Sequence, residues 1–329
     1  MSDPITRAAF VTAGAAAALV PFAARAADPT RITVNYFPGA STLPLFYGLE
    51  RGLFARAGLN VIAEATASSA DQFGRLDRGD ADIAQTTIDN PIAYDIGRGA
   101  PAVVARDFVA WFGIDDAGLH LIAAPGIATI ADLRGKTVAV DSLTTGYAYA
   151  LRGMLASAGL GPNDVTFVAK GATILRYKGL TDGAFDATLL TPPFNAQANE
   201  RGFRTLARAI DVVGPYQGLV GIARRSWLAA HRDTAIAYLG AYRAALAAAA
   251  GDRPGGIATL MSRDATLTPA AAALTYDAMF APGAGFQRTS AIDLAGVRTV
   301  LRLRATYDPP GAGTDPAPYI DTSFVQAAR

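Results

Sequence analysis

The sequence predicts a two-lobed α/β fold in which two sheets, each covered by helices, are joined by two crossings of the chain. Three observations lead there. Short β-branched runs alternate with helix-length segments that stop at glycine, the pattern of strands and their covering helices. That series occurs twice, and a single apolar strand follows each occurrence. The chain has 329 residues, more than the roughly 250–300 at which a single core stops growing.

The first series opens with a strand at 32–36. A helix over 43–57 follows, its start marked by Ser41, Thr42 and Pro44 and its end by Gly58. Next come a strand at 61–63, a helix over 69–78 closed by Gly79, a strand at 83–85, a short helix over 91–96 and a strand at 102–105. Residues 119–123 are expected to cross to the second lobe. There a short helix at 130–136 precedes a strand at 138–140 and a helix over 145–158. Strands at 165–169 and 188–190 alternate with helices over 174–180 and 194–201, and 219–223 form the return crossing. Alanine-rich helices over 232–250, 269–280 and 291–303 precede a Pro/Gly-rich tail from Pro309. The lobes are therefore expected to be 27–120 with 216–329, and 121–215.

Composition narrows the function. Lys plus Arg number 29 against 28 Asp plus Glu, so no basic surplus exists to hold a nucleic-acid backbone. There is no cysteine, which excludes disulfides, thiolate metal sites and a thiol nucleophile. His120 and His231 are the only imidazoles, too few for a multi-histidine zinc site. No cofactor is expected. The first residues read as an address: Arg7 in a short n-region, an apolar run over 8–24, then Ala24-Arg25-Ala26 as a small-x-small cleavage signal. Removal of 1–26 after Ala26 and export follow as expectations. No later segment is apolar for long enough to span a bilayer.

Several segments in order carry a family resemblance. They are Val34-Asn35-Tyr36-Phe37, Gly48-Leu49-Glu50-Arg51-Gly52-Leu53-Phe54, Gly58-Leu59-Asn60-Val61, Arg78-Gly79-Asp80-Ala81-Asp82-Ile83-Ala84, Asp132-Leu133-Arg134-Gly135-Lys136 and Asp186-Ala187-Thr188-Leu189-Leu190-Thr191-Pro192-Pro193. The chain resembles the nitrate/sulfonate/taurine and NMT1-like group of ABC-transporter substrate-binding proteins over residues 31–250, a branch of the type II periplasmic-binding fold. The resemblance implies a periplasmic protein that closes by hinge motion on a small-molecule ligand and docks to an inner-membrane ABC permease driven by an ATPase. A monomer is expected.

Ligands of open α/β sheets sit beyond the carboxyl ends of the strands, where loops enter helices. Tyr36, Phe37, Ser41 and Thr42 lie at the first such point and Ser68 and Ser69 at the second, with helix capping the competing role for the hydroxyls. Gln85, Thr86, Thr87 and Asn90 follow a third strand. In the second lobe Ser142, Thr144, Thr145, Gly146 and Tyr147 open a helix directly after a strand, the turn with which the family grips a ligand's polar head. Thr191 and Phe194 end another strand. Tyr36, Phe37, Tyr147 and Phe194 are placed to sandwich an apolar or aromatic ligand body, and Phe108, Trp111 and Phe112 read as core. No arginine or lysine falls inside these motifs. Arg106 and Arg176 are the nearest candidate anchors, Arg176 pairing with Lys178 as a solvated helix face.

The competing class is an enzyme on the same fold. Pyrimidine synthases of the NMT1-like group use a cysteine-rich motif and a pyridoxal-binding lysine, and this chain has no cysteine. Lyases of the menaquinone branch are usually cytosolic. Asp107, Asp115 and Asp116 are an imaginable acid/base set, with ordinary hinge-loop aspartates as the alternative. A binding protein that signals to a membrane receptor is the third class.

Overall fold

The computed structural model describes residues 1, 28–66, 68–100, 102–103, 106–308 and 313–328. The expected address at 1–26 lies outside the described residues apart from Met1, as do residues 104–105 of the expected strand at 102–105. Residues 102–103 are not extended into a strand.

The strands are β1 (Thr30–Tyr36), β2 (Leu59–Ala65), β3 (Ile83–Thr87), β4 (Phe108–Gly113), β5 (His120–Ala123), β6 (Thr137–Val140), β7 (Thr166–Ala169), β8 (Ala187–Leu190), β9 (Arg204–Arg208) and β10 (Leu219–Arg224). The helices beside the first sheet are α1 (Leu43–Glu50), α2 (Leu53–Arg56), α3 (Ser69–Arg78) and α4 (Asp89–Asp95). Those of the second are α5 (Gly146–Ser157), α6 (Thr173–Thr181), α7 (Phe194–Glu200) and α8 (Ala209–Val213). After β10 follow α9 (Arg225–Ala230), α10 (Arg232–Gly251), α11 (Arg253–Arg263), α12 (Pro269–Met279), α13 (Leu294–Tyr307) and α14 (Ser323–Ala327). Among the described residues no helix is long and apolar enough to cross a membrane.

The two sheets share one plan, β2-β1-β3-β10-β4 and β7-β6-β8-β5-β9. In each, parallel strands are interrupted by one antiparallel strand that arrives directly from the other sheet: β10 pairs antiparallel to β3 and β4, and β5 to β8 and β9. This corrects the expected crossings. Residues 119–123 and 219–223 are ladder strands, and the chain crosses instead through 114–119 and 209–218. Phe108, Trp111 and Phe112 lie on β4, a strand that had not been anticipated, and all three are buried as core.

The expected helix over 43–57 is broken. Gly52 adopts a left-handed backbone (φ 65°), which stops α1 and starts α2. Helix α3 matches its expected span, with Ser68 accepting the Asp71 N–H and left-handed Gly79 closing it. One apolar cluster is continuous between the sheets, joining Ala84 and Ile222 of the first to Leu121 and Val138 of the second through Leu151 of α5 and Leu301 of α13. A second packs Ile32, Val34 and Trp111 beneath Tyr238 and Tyr242 of α10.

Candidate functional site

The two crossing segments are stitched to each other. Oδ1 of the fully buried Asp115 accepts the N–H groups of Ala117 (2.8 Å) and Leu219 (3.0 Å), and Gln217 Nε2 donates to the carbonyls of Asp115 and Leu219. Gly218 is required here, because a Cβ would stand 2.0 Å from the Ala117 nitrogen. Burial pushes the Asp115 carboxyl up to about 6, against the hydroxyl of Ser41 and the backbone N–H groups that pull it down. Asp116 accepts from Gly118 and Gly285, and Asp107 from the Ser226 hydroxyl. Each of these carboxylates is thus bonded to backbone N–H groups or a serine hydroxyl and holds local backbone in place.

At the carboxyl ends of the first sheet, Tyr36 is buried edge-on against Phe46, ring centroids 5.1 Å apart. Phe37 and Ser41 are half-buried, and the buried Thr42 spends its hydroxyl on the Gly39 carbonyl at 2.8 Å. Ser68 is the cap of α3, and the Ser69 hydroxyl lies against that of Tyr94. Gln85 is fully buried beside the Tyr238 hydroxyl. Thr86 accepts a 2.7 Å bond from Asn90, so these two satisfy each other. Thr87 is half-buried and pairs with Leu219 in the sheet.

At the start of α5, Ser142 and Thr144 are exposed, and Thr145 is the N-cap, accepting the Ala148 N–H and donating to Asp141 at 2.6 Å. Gly146 is not open to a ligand: its N–H donates at 2.7 Å to Oδ2 of Asp89 on α4, across the boundary between the sheets. A Cβ on Gly146 would come within 2.6 Å of the Asp89 Cβ, so only glycine permits this approach. The Asp89 carboxylate is gripped from its other side by Arg304 Nε (2.8 Å) and Nη2 (2.7 Å), a buried bidentate pair. Arg304 also reaches Asp308 at 3.0 Å.

Tyr147 is half-buried; burial first, then the carboxylates of Asp115 and Asp141, push its phenol far up. Arg176 corrects the expectation of a solvated face. It is buried, donating to the carbonyls of Leu189 and Gly171 and to the Thr173 hydroxyl, so it braces the strand ends from within. Arg106 is exposed and bonds the Val103 carbonyl. Thr191 is half-buried, and its carbonyl starts α7 by accepting the Phe194 N–H at 2.9 Å.

A cavity of about 420 Å³ opens between the sheets. Tyr36, Ala40, Thr42, Leu43 and Phe46 wall it from the first sheet's side, Ile174, Pro193 and Phe194 from the second, and Leu260, Arg263, Asp264 and Leu267 from the α11–α12 turn. Of the expected site residues it gathers Tyr36, Thr42 and Phe194, and leaves Phe37, Ser68, Ser69, Gln85 and the α5 turn outside. Strand-end reasoning missed the α11–α12 turn, since no strand precedes it. It also missed Asp89, whose signal was an acid between Ile88 and Pro91 directly after a strand. Among the described residues no group of three His, Asp or Glu could hold a metal ion.

The profile of the NMT1/THI5 like family matches residues 40–254. The chain belongs to that family. No curated protein matches the sequence. Among solved structures, the fold is similar to the periplasmic nitrate-binding protein NrtA from Synechocystis PCC 6803, with a TM-score of 0.76 and 14% identity over 91% of this chain and 88% of that one. It is likewise similar to the alkanesulfonate-binding protein SsuA from Xanthomonas axonopodis pv. citri bound to MOPS, with a TM-score of 0.67 and 20% identity over 85% and 93%. A third is DszB in complex with biphenyl-2-sulfinic acid, with a TM-score of 0.62 and 15% identity over 91% and 99%. The NMT1/THI5 like chain described here thus has the type II periplasmic-binding fold, and its neighbours are mostly binding components of ABC importers.

Proposed function

We propose that this chain is the solute-binding component of an ABC importer, exported to the periplasm and cleaved after Ala26, and that it performs no chemistry. Two lobes, 27–120 with 216–329 and 121–215, capture one small organic acid, sulfonate or aromatic compound and present the closed form to an inner-membrane permease. The observation that carries the proposal is the cavity, walled from the sides of both sheets and of a size that suits a small molecule. Its aromatic and aliphatic lining suits an apolar or aromatic body.

A ligand that binds only the folded protein must raise its melting temperature. Screening organic acids, sulfonates, aromatic acids, pyrimidines and amines by thermal shift is expected to give a saturable rise with one chemical class. Turnover of a substrate in place of such a shift would replace this proposal with the enzymatic alternative.

A further inference from the structure

We infer that closing the seam where α7 meets α12 takes up a proton on Asp115, so that acid favours the closed form and strengthens capture. The inference rests on the solute-binding reading above and concerns the regulation of that same site. Asp115 stands where the two crossing segments meet, and its oxygens are treated unequally. Oδ1 accepts the Ala117 and Leu219 N–H groups, which join the segments whether or not the acid is ionised. Oδ2 is out of water and takes no backbone N–H, and the Ser41 hydroxyl lies against the carboxyl. Burial outweighs these donors and favours the protonated acid in this conformation.

The cover over the carboxyl is what the seam controls. Pro192, between β8 and α7, closes on the residues to either side: its carbonyl accepts the Ala40 N–H at 3.2 Å, next to Ser41. Its ring packs so near Gly118 that a Cβ there would stand 2.9 Å from Pro192 Cδ. Pro192 moves with α7, so opening the seam withdraws this cover and admits water to Ser41 and Asp115. The carboxyl then returns from about 6 toward the ordinary value of about 4. Closing therefore binds a proton below about pH 6 and none well above it, which makes closure about tenfold more favourable at pH 5 than at pH 8.

The titratable groups that face Asp115 are Asp116 beside it, Tyr147 from α5 and Tyr242 from α10. Burial pushes both phenols up, so they stay neutral. Asp116, also pushed up by burial, accepts the Gly118 and Gly285 N–H groups, and its charge opposes a second one on Asp115. His120, at the start of β5, is lowered by burial and faces Asp116. Asp116 and His120 are the groups to separate from Asp115.

A locked chain tests the coupling with no ligand present. The sequence has no cysteine, so Glu200→Cys with Thr268→Cys, exposed positions whose side chains meet at 3.0 Å across the seam, can be joined by a short bis-maleimide. Carbon-13 NMR of the aspartate carboxyls, with Asp115→Asn to assign the resonance, is expected to place the Asp115 titration near pH 6 in the joined chain and about one pH unit or more lower in the unjoined one. Solution scattering of the native protein is expected to show the radius of gyration falling from pH 8 to pH 5. Asp116→Asn and His120→Gln should keep that change, and Asp115→Asn should hold the smaller radius throughout. Equal Asp115 titrations in the joined and unjoined chains, or a native radius independent of pH, overturn the coupling. A pH-dependent radius that survives Asp115→Asn assigns the proton to another group and overturns the role of Asp115. Neither measurement contains a ligand, so such a failure leaves the capture reading standing or falling on the thermal screen alone.

Discussion

A few polar residues connect the sheets beside the apolar cluster. Asp89 is joined at once to Arg304 and to the Gly146 N–H, with both side chains of the ion pair out of water. Removing one partner of a buried pair strands the other, at a cost of about 3–5 kcal/mol. Arg304→Met is therefore expected to lower unfolding stability by that order in a denaturant titration, and a loss under about 1 kcal/mol would show the pair to be solvated in solution. Gly146→Ala is expected to destabilise by separating the Asp89 and Gly146 backbones, and amide exchange at residue 146 should rise with it. Asp115 supplies a pH signature. Its folded value of about 6 lies above the ordinary carboxylate value, so folding favours the protonated form. That contribution is complete below about pH 4 and is lost as pH rises through 6, a swing of about 3 kcal/mol at most. Asp115→Asn mimics the protonated acid and should gain on the native protein between pH 4 and 7; parallel stability curves would contradict the assignment. None of these partnerships was legible in the sequence. Asp89 and Arg304 are 215 positions apart, and strand-end patterning cannot say which buried acid meets which buried base.

Most strands and helices of the two sheets were legible, because glycine stops and β-branched runs are local signals, whereas β4, β9, α8, α9, α11 and α14 were not anticipated. Helix α3 is the clearest case, its serine cap and left-handed glycine both readable in advance. The failures have local causes too. Gly52, inside an otherwise helical pattern, was passed over as the break between α1 and α2, and the uniformly apolar run 108–113 was read as core without being assigned to a strand. Helix α11 hides behind Pro254 and two glycines, although Pro254 sits at the first helical turn, where proline is tolerated. The contact between α7 and α12 is of a different kind from the buried hinge side. Gln197 reaches Asp264 at 3.4 Å and Thr268 donates to Glu200 at 3.0 Å, both at or near the surface. Glu200→Ala should leave unfolding stability within about 1 kcal/mol while increasing the radius of gyration of the ligand-free protein in solution scattering. Identical scattering would place the opening elsewhere.

At the scale of the whole molecule, one side is held by the continuous apolar cluster through α5 and α13, and the other is the cavity with its polar seam. On the proposed function, capture requires that the stitched segments 114–119 and 209–218 flex while the α5–α13 side stays packed, so that the seam between α7 and α12 opens and closes over the ligand. The two-lobed topology was anticipated from the doubled strand–helix series and its type II character from the family resemblance, yet the chain crosses just before the runs expected to cross. An isolated apolar run does not reveal whether it joins a ladder or leaves one. The central claim is reversible capture without chemistry, and its most direct test is an equilibrium titration with the best ligand of the thermal screen, followed by analysis of the recovered molecule. The account predicts one ligand per chain, released chemically unchanged on dilution. Product accumulating beyond one equivalent per chain would contradict it.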